Sequence, residues 1–468
     1  MISQNLTFTV QNLQDRLDVS FYDPELIKFE TWLDSQKNSV PITEFCTVTD
    51  GSHEVREYVD EGIPFLRITN IREDGINLDE DNLVFISKRE HFEELFRSNL
   101  IEGDVLFTKT GTLGLTFVVP KDFGEANISA DLALFRISSD KKNDLLPEYL
   151  SMFLKSEFFM KQVYKNLSGS SRDRIVLSNL KKLKIIKPSI EIQNDIVKEI
   201  NLLKAGAKKH LSNFNEFTEK LKGSLSNIIS YNIHNKTNVF IVGSERVNDR
   251  LDCLFNSPDY SRLQKELESN KYKDFSLIHA KTLDINTPMK RNEVTENEIL
   301  SFKYLDIGNT DKNLDTIKSY EEDLLINLPS RARQVTRTND VLVPRPIGST
   351  NTIITIPKDF NAQLYSTGFI GIHTNNYEDA LILQTVLKSD IVQMQFKYLQ
   401  SGSLQPEITP ENFKDYIILP LPNNTIKSNF IENIKKLKDD SLNEFKQYLE
   451  IKQQIDFKFV STLNEVSI

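Results

Sequence analysis

Cysteine is scarce: Cys46 and Cys253 are the only two in 468 residues. That excludes a disulfide framework and fits a reducing compartment. Apolar runs are short, and none reaches the roughly 20 residues that a membrane-spanning helix needs. The stretch MISQNLTFTV lacks a basic region followed by a long apolar core, so the expectation is a cytoplasmic protein without a membrane segment. Catalytic signatures are missing too. There is no G-x-x-x-x-G-K-[ST] phosphate loop. The nearest string to an N/D-P-P-F/Y base-holding loop, Asn256-Ser257-Pro258-Asp259-Tyr260, lacks the second proline and follows no glycine-rich loop for adenosylmethionine. The six histidines (His53, His91, His210, His234, His279, His373) are scattered without metal-ligand spacing and read as surface or core residues. Basic charge is in deficit, with Lys+Arg 57 against Asp+Glu 67 and a net charge of −10, which weighs against a nucleic-acid partner.

What is present is long-range order. An apolar fraction of 39% and a charged fraction of 26% are those of a globular protein, and the length predicts at least two domains. Over Ile190–His234 apolar residues recur at Ile196, Ile200, Leu203, Ala207, Leu211, Phe214, Phe217, Leu221, Leu225 and Ile228. Steps of three and four predict one helix with a coiled-coil seam. Asn194 and Asp195 are candidate caps, and Gly206 and Gly223 weaken it locally. At about 1.5 Å per residue such a helix is on the order of 65 Å long, and its stripe needs a partner. Asn424–Leu463 carries a second stripe (Ile426, Phe430, Ile434, Leu437, Leu442, Phe445, Leu449, Ile455, Phe459) that supplies one.

The rest of the chain repeats itself at an offset of about 235 residues. Arg16-Leu17-Asp18 returns as Arg250-Leu251-Asp252, and Gly103-Asp104-Val105-Leu106 as Asn339-Asp340-Val341-Leu342. Val119-Pro120-Lys121-Asp122-Phe123 returns as Ile356-Pro357-Lys358-Asp359-Phe360, Leu154-Lys155-Ser156 as Leu387-Lys388-Ser389, and Ser168-Gly169-Ser170 as Ser401-Gly402-Ser403. Each copy has alternating or apolar strands (Phe65–Ile68, Asp104–Thr108, Thr116–Val119, Leu132–Ile137 in the first). One helix follows (Pro147–Leu167; Glu378–Leu399), then a polar Gly/Ser loop and an apolar strand ending in proline (Leu183–Pro188; Tyr416–Pro422). The expected architecture is mixed α/β: two duplicated α/β domains (1–189 and 236–422) separated by an antiparallel two-helix coiled coil (190–235 with 423–468).

Two ordered copies of these blocks, each followed by a long helix, resemble the specificity (S) subunit of type I restriction–modification enzymes. The resemblance covers nearly the whole chain. It implies that each repeat is a target recognition domain reading half of a bipartite site in double-stranded DNA. It implies that the helices space the domains and dock methyltransferase (M) subunits, two in number, with motor–nuclease (R) subunits as further partners. The subunit itself is then non-catalytic and holds no cofactor or metal. Adenosylmethionine, and ATP with Mg²⁺ where a motor is present, belong to the partner subunits.

DNA contact needs cations and backbone N–H groups for phosphates, and Arg, Asn, Gln or Lys for base edges. The loop after the Asp-Val-Leu strand (Asp104-Val105-Leu106; Asp340-Val341-Leu342) offers Lys109, Thr110 and Thr112 in the first copy, and Arg345, Ser349 and Thr350 in the second. The Gly/Ser loop offers Ser170, Arg172 and Arg174, against Ser403 and Gln405. Arg67 and Asn70 follow an early strand, and Arg331, Arg333 and Arg337 precede the second Asp-Val-Leu strand. Taken without the resemblance, such loops are ordinary loops and such arginines a solvated face. The other readings are a duplicated scaffold binding protein or glycan with a dimerising rod, and, behind it, a self-contained methyltransferase.

Overall fold

The computed structural model describes residues 19–52, 57–73, 75–79, 83–168, 173–226, 254–268, 274–289, 300–402 and 404–466. The repeated Arg-Leu-Asp blocks at 16–18 and 250–252 lie outside them. The chain divides into two compact units, Met1–Lys208 with Leu449–Ile468, and Lys209–Tyr448.

In the first unit Cys46–Asp50, Leu132–Ile137, Val105–Thr108 and Thr116–Val118 form an antiparallel sheet in that order. Helices α1 (Pro24–Ser35), α2 (Pro147–Lys155), α3 (Glu157–Lys165) and α4 (Leu177–Leu180) supply the helical layer, and α5 (Ile190–Ser226) follows. A second sheet pairs Ile63–Leu66 antiparallel with Val84–Ile86 and parallel with Asn127–Ile128. A small hairpin (Ile71–Arg72 with Gly75–Ile76) and the pair Ser39–Pro41 with Lys184–Ile186 complete the unit. The core gathers Val105, Phe107, Phe135, Phe153 and Phe159, all fully buried.

The second unit repeats most of these pairings. Val341–Pro344 lies antiparallel between Ile354–Thr355 and Phe369–Ile372. Ser301–Leu305 pairs antiparallel with Glu321–Leu324 and parallel with Leu364–Ser366, whose other neighbour is the edge strand Ala332–Val335. The hairpin Thr310–Asp311 with Thr316–Ile317 and the pair Phe275–His279 with Ile418–Pro422 match their counterparts. The helices are α6 (Pro258–Glu268), α7 (Tyr377–Lys388), α8 (Asp390–Leu399), α9 (Pro410–Tyr416) and α10 (Lys427–Val466).

Side chains explain why the repeated blocks are spelled as they are. Gly103 and Asn339 sit at φ 85° and 69°, a left-handed turn that glycine and asparagine tolerate best. The next residue, Asp104 or Asp340, is buried and accepts the backbone N–H of Ile101 or Arg337 at 2.8 and 2.9 Å. Its other oxygen takes Arg136 Nε at 2.8 Å in one unit and His373 Nδ1 at 2.9 Å in the other. Gln162 and Gln395, also buried, each knit a helix to the final strand. Each accepts a strand N–H at 2.8 Å and donates to a strand carbonyl at 2.9 and 2.8 Å.

Three expectations are corrected. The single helix after the strands is two, because Ser156 and Ser389 turn their hydroxyls back onto Phe153 O and Val386 O and end the first of each pair. Asn194 and Asp195 lie inside α5 rather than at its cap, and Asn194 Nδ2 donates to Ile190 O at 2.8 Å. The strand expected at Phe65–Ile68 begins at Ile63 and ends at Leu66.

Each unit also contains a stretch of α5 against a stretch of α10, running antiparallel. In the first unit Ile196 and Ile200 share a core with Phe459 and Leu463, and Glu199 pairs with Lys458 at 3.1 Å. In the second, Phe214 meets Phe445 with ring centroids 4.8 Å apart, His210 Nδ1 lies 2.7 Å from Glu444, and Thr218 lies 3.4 Å from Ser441. The part of the expected spacer beyond residue 226 lies outside the described residues. A Cβ added at Gly206 would sit 3.6 Å from Ile451 Cδ1, an ordinary contact. Gly206→Ala is therefore expected to stabilise the protein by about 1 kcal/mol, read as a higher urea midpoint. An unchanged or lower midpoint would show that this stretch gains nothing from helix propensity.

Candidate nucleic-acid interface

In both units the loop after the central strand and the Gly/Ser loop are tied together by the same main-chain bonds. In the first, Gly111 N donates to Asp173 O at 2.8 Å, Ile175 N to Lys109 O at 3.0 Å, and Ser168 N to Arg174 O at 2.7 Å. In the second, Ile347 N donates to Pro406 O at 3.0 Å, Ile408 N to Arg345 O at 2.9 Å, and Ser401 N to Glu407 O at 2.8 Å. Lys109 thus corresponds to Arg345, and Arg174 to Glu407. Gly111 and Gly114 hold φ 67° and 87°, which makes the tight turn of the first loop possible. Two sequence-distant loops become one short, rigid surface.

The structure sorts the candidate side chains. Lys109 is corrected: it is 1% exposed, with its ammonium 3.3 Å from the buried Asp50 carboxylate, and it cannot reach a phosphate. Burial holds its pKa below the usual lysine range, partly offset by Asp50. Thr110 is buried on the main-chain bridge to Arg174, and Thr350 is buried with Oγ1 donating to Gln393 Oε1 at 2.8 Å. Asn70 is buried as well. Its Oδ1 accepts the Arg67 N–H at 2.8 Å and its Nδ2 donates to Asn77 O at 3.1 Å. Asn309 makes the same turn with Asp306 at 2.9 Å, so the asparagine builds the turn in both units. These four side chains serve the fold and are withdrawn as DNA contacts.

Others face outward. Thr112, Arg174 and Gln405 are exposed, and Arg67 and Ser349 are half-buried. Arg345 is mostly covered and bound by Glu407, with a further bond to Thr367 O at 3.1 Å. Arg333 is exposed on the edge strand Ala332–Val335 and Arg331 and Arg337, also exposed, flank it, while Ala332, Gln334 and Thr336 are buried. Arg331 pairs with Asp306, and Arg337 lies 3.3 Å from Asp284. Ser170, Arg172 and Ser403 lie outside the described residues.

Two features were not read from the sequence. Arg97, exposed and 3.8 Å from Asp50, holds the place in the first unit that Arg333 holds in the second. The matching bonds three residues on (Leu100 N to Ala126 O, 3.0 Å; Thr336 N to Gln363 O, 2.8 Å) set that correspondence, although Arg97 stands on a 3-10 turn and Arg333 on a strand. Its only signal was position within the repeat, 236 residues before Arg333, in a block with little other similarity. Asp50 and Glu407, which neutralise the loop cations, gave no signal, because ion-pair partners distant in sequence are invisible to spacing. Asp50→Asn is expected to cost about 3–5 kcal/mol, since it leaves the Lys109 ammonium buried without its counter-charge. Urea denaturation measures this, and a loss below about 1 kcal/mol would mean that water reaches the ammonium.

The chain is similar to several known proteins. Residues 35–213 match a family described as the type I restriction modification DNA specificity domain. The specificity subunit of the type I restriction enzyme EcoBI from Escherichia coli is 28% identical over 149 residues, 32% of this chain and 30% of that relative's length. Among solved structures, the type I restriction-modification S subunit from M. genitalium aligns over 91% of this chain and 95% of its own, at 12% identity and TM-score 0.43. A chain from a study of assembly and conformational transition in the type I R-M system aligns over 92% and 97%, at 13% identity and TM-score 0.48. Residues 35–213 are thus similar to the type I restriction modification DNA specificity domain, and the match to the EcoBI subunit spans less than a third of that relative's length.

Proposed function

We propose that the whole chain is the DNA-recognition subunit of a type I restriction–modification complex and performs no chemistry of its own. Each unit reads one half of a bipartite site in double-stranded DNA. The α5 and α10 helices set the distance between the halves and dock the methyltransferase subunits, which bring adenosylmethionine to a flipped adenine. A motor–nuclease subunit, where present, adds ATP and Mg²⁺. The cell compartment that fits is the cytoplasm, where DNA and thiols in the reduced state coexist.

The observation that carries this reading is the loop pair, present twice on the same main-chain frame with different residues displayed. A scaffold that bound one protein or glycan twice would have no need to vary the residues shown while keeping the frame. The net charge of −10 fits a subunit whose partners supply much of the phosphate contact. The acidic strand Glu321–Leu324, exposed along its length, stands away from the arginine-bearing edge strand at the other side of its sheet.

Co-expression of the chain with its methyltransferase subunit, followed by methylome sequencing, is expected to reveal a gapped adenine motif. A methylome without one sinks the proposal. With the motif in hand, replacing Arg331, Arg333 and Arg337 by Ala should weaken binding to all sequences alike. It should also flatten the dependence of log K on log salt by about 0.9 for each phosphate left without its cation. An unaltered slope would show that these arginines face solvent only.

A further inference from the structure

The Gly/Ser loop of the second unit is clamped at its base. Ser401 N donates to Glu407 O at 2.8 Å, and Glu407 N returns to Ser401 O at 2.9 Å. Within it Gly402 holds φ 93°, and a Cβ there would come 2.9 Å from the Gln405 carbonyl oxygen. On this constrained tip Leu404 is 96% exposed, and Gln405 beside it is exposed. A leucine so placed adds nothing to the core, where an apolar side chain is favoured. The loop of the first unit has the same length between its clamping residues. It reads Gly-Ser-Ser-Arg-Asp at 169–173, against Gly-Ser-Leu-Gln-Pro at 402–406. The leading glycine and serine are kept, while Ser171 and Arg172 stand in the repeat where Leu404 and Gln405 do. A constant frame with exchanged tip residues is what a reading element requires.

We propose that Leu404 and Gln405 together read an A·T base pair in the major groove of the half-site facing the second unit. This deepens the DNA-recognition reading above and rests on it. The Gln405 amide offers one donor and one acceptor, which match adenine N7 and N6–H₂. Guanine presents two acceptors on that edge and would oppose the amide oxygen. Leu404 has no polar atom to offer, and the groove feature it fits is the thymine methyl group, which the other bases lack.

The test uses the full chain co-expressed with its methyltransferase subunit, comparing methylomes of wild type, Leu404→Ala, Gln405→Ala and Gln405→Arg. Both alanine variants are expected to relax one A·T position, in one half of the motif only, by about tenfold in discrimination. Gln405→Arg, which installs the side chain of Arg172, should move that position toward G·C. Replacing the thymine there by deoxyuridine should weaken binding by the wild-type complex but not by Leu404→Ala. Thermal unfolding should be unchanged throughout, because the side chains are exposed. Identical motifs in all three variants overturn the inference, as does weaker binding with no change at any one position. A wild-type methylome without a motif overturns the underlying reading instead.

Discussion

Main-chain hydrogen bonds between two loops, far apart in sequence, govern what each unit can present. A base-reading surface must be rigid, because each side chain ordered on binding costs about 0.5–1.5 kcal/mol. Backbone bonds supply that rigidity without committing side chains. The same bonds join Gly111 to Asp173 and Ile347 to Pro406, so the frame survives replacement of the residues at its tip. Side chains at the base of the loops are then free to diverge in how they are neutralised. Lys109 is sealed beneath the surface against Asp50, whereas Arg345 is held at its margin by Glu407.

Beneath the loops a second repeated device sets the central strand. The aspartate of each repeated block closes a turn through its carboxylate and holds a nitrogen-bearing side chain from the neighbouring strand or its end, Arg136 in one unit and His373 in the other. The partners differ while the acceptor geometry is the same, because a buried carboxylate must be satisfied by whatever donor the adjacent strand carries. Gln162 and Gln395 do the equivalent for the last strand. Such buried amides hold register in a layer where apolar packing alone would permit slippage.

The candidate site was half legible. Exposed positions on turns and on the edge strand were found by residue type: Thr112, Arg174, Gln405, Arg331, Arg333 and Arg337 all face outward. Lys109, Thr110, Thr350 and Asn70 failed for one reason. Each belongs to a type that contacts DNA well but equally well satisfies a buried group, and a one-dimensional pattern does not distinguish these uses. Arg97 was passed over because its surroundings diverged: it stands on the short 3-10 turn Phe96–Ser98, where Arg333 stands on a strand. Leu404 was passed over because an apolar residue in a loop carries no chemical flag until its exposure is known.

By itself the sequence determined the duplication, the mixed α/β class, the two long helices and most strand positions. Those follow from periodicity and turn chemistry, which act between residues close along the chain. Tertiary structure alone decided which loops meet, that Ser156 and Ser389 break a helix in two, and which cations are sealed inside. These outcomes depend on burial and on partners brought from far along the chain, such as Asp50 to Lys109 or Glu407 to Arg345. Desolvation and pairing are properties of three-dimensional surroundings, and no local pattern encodes them.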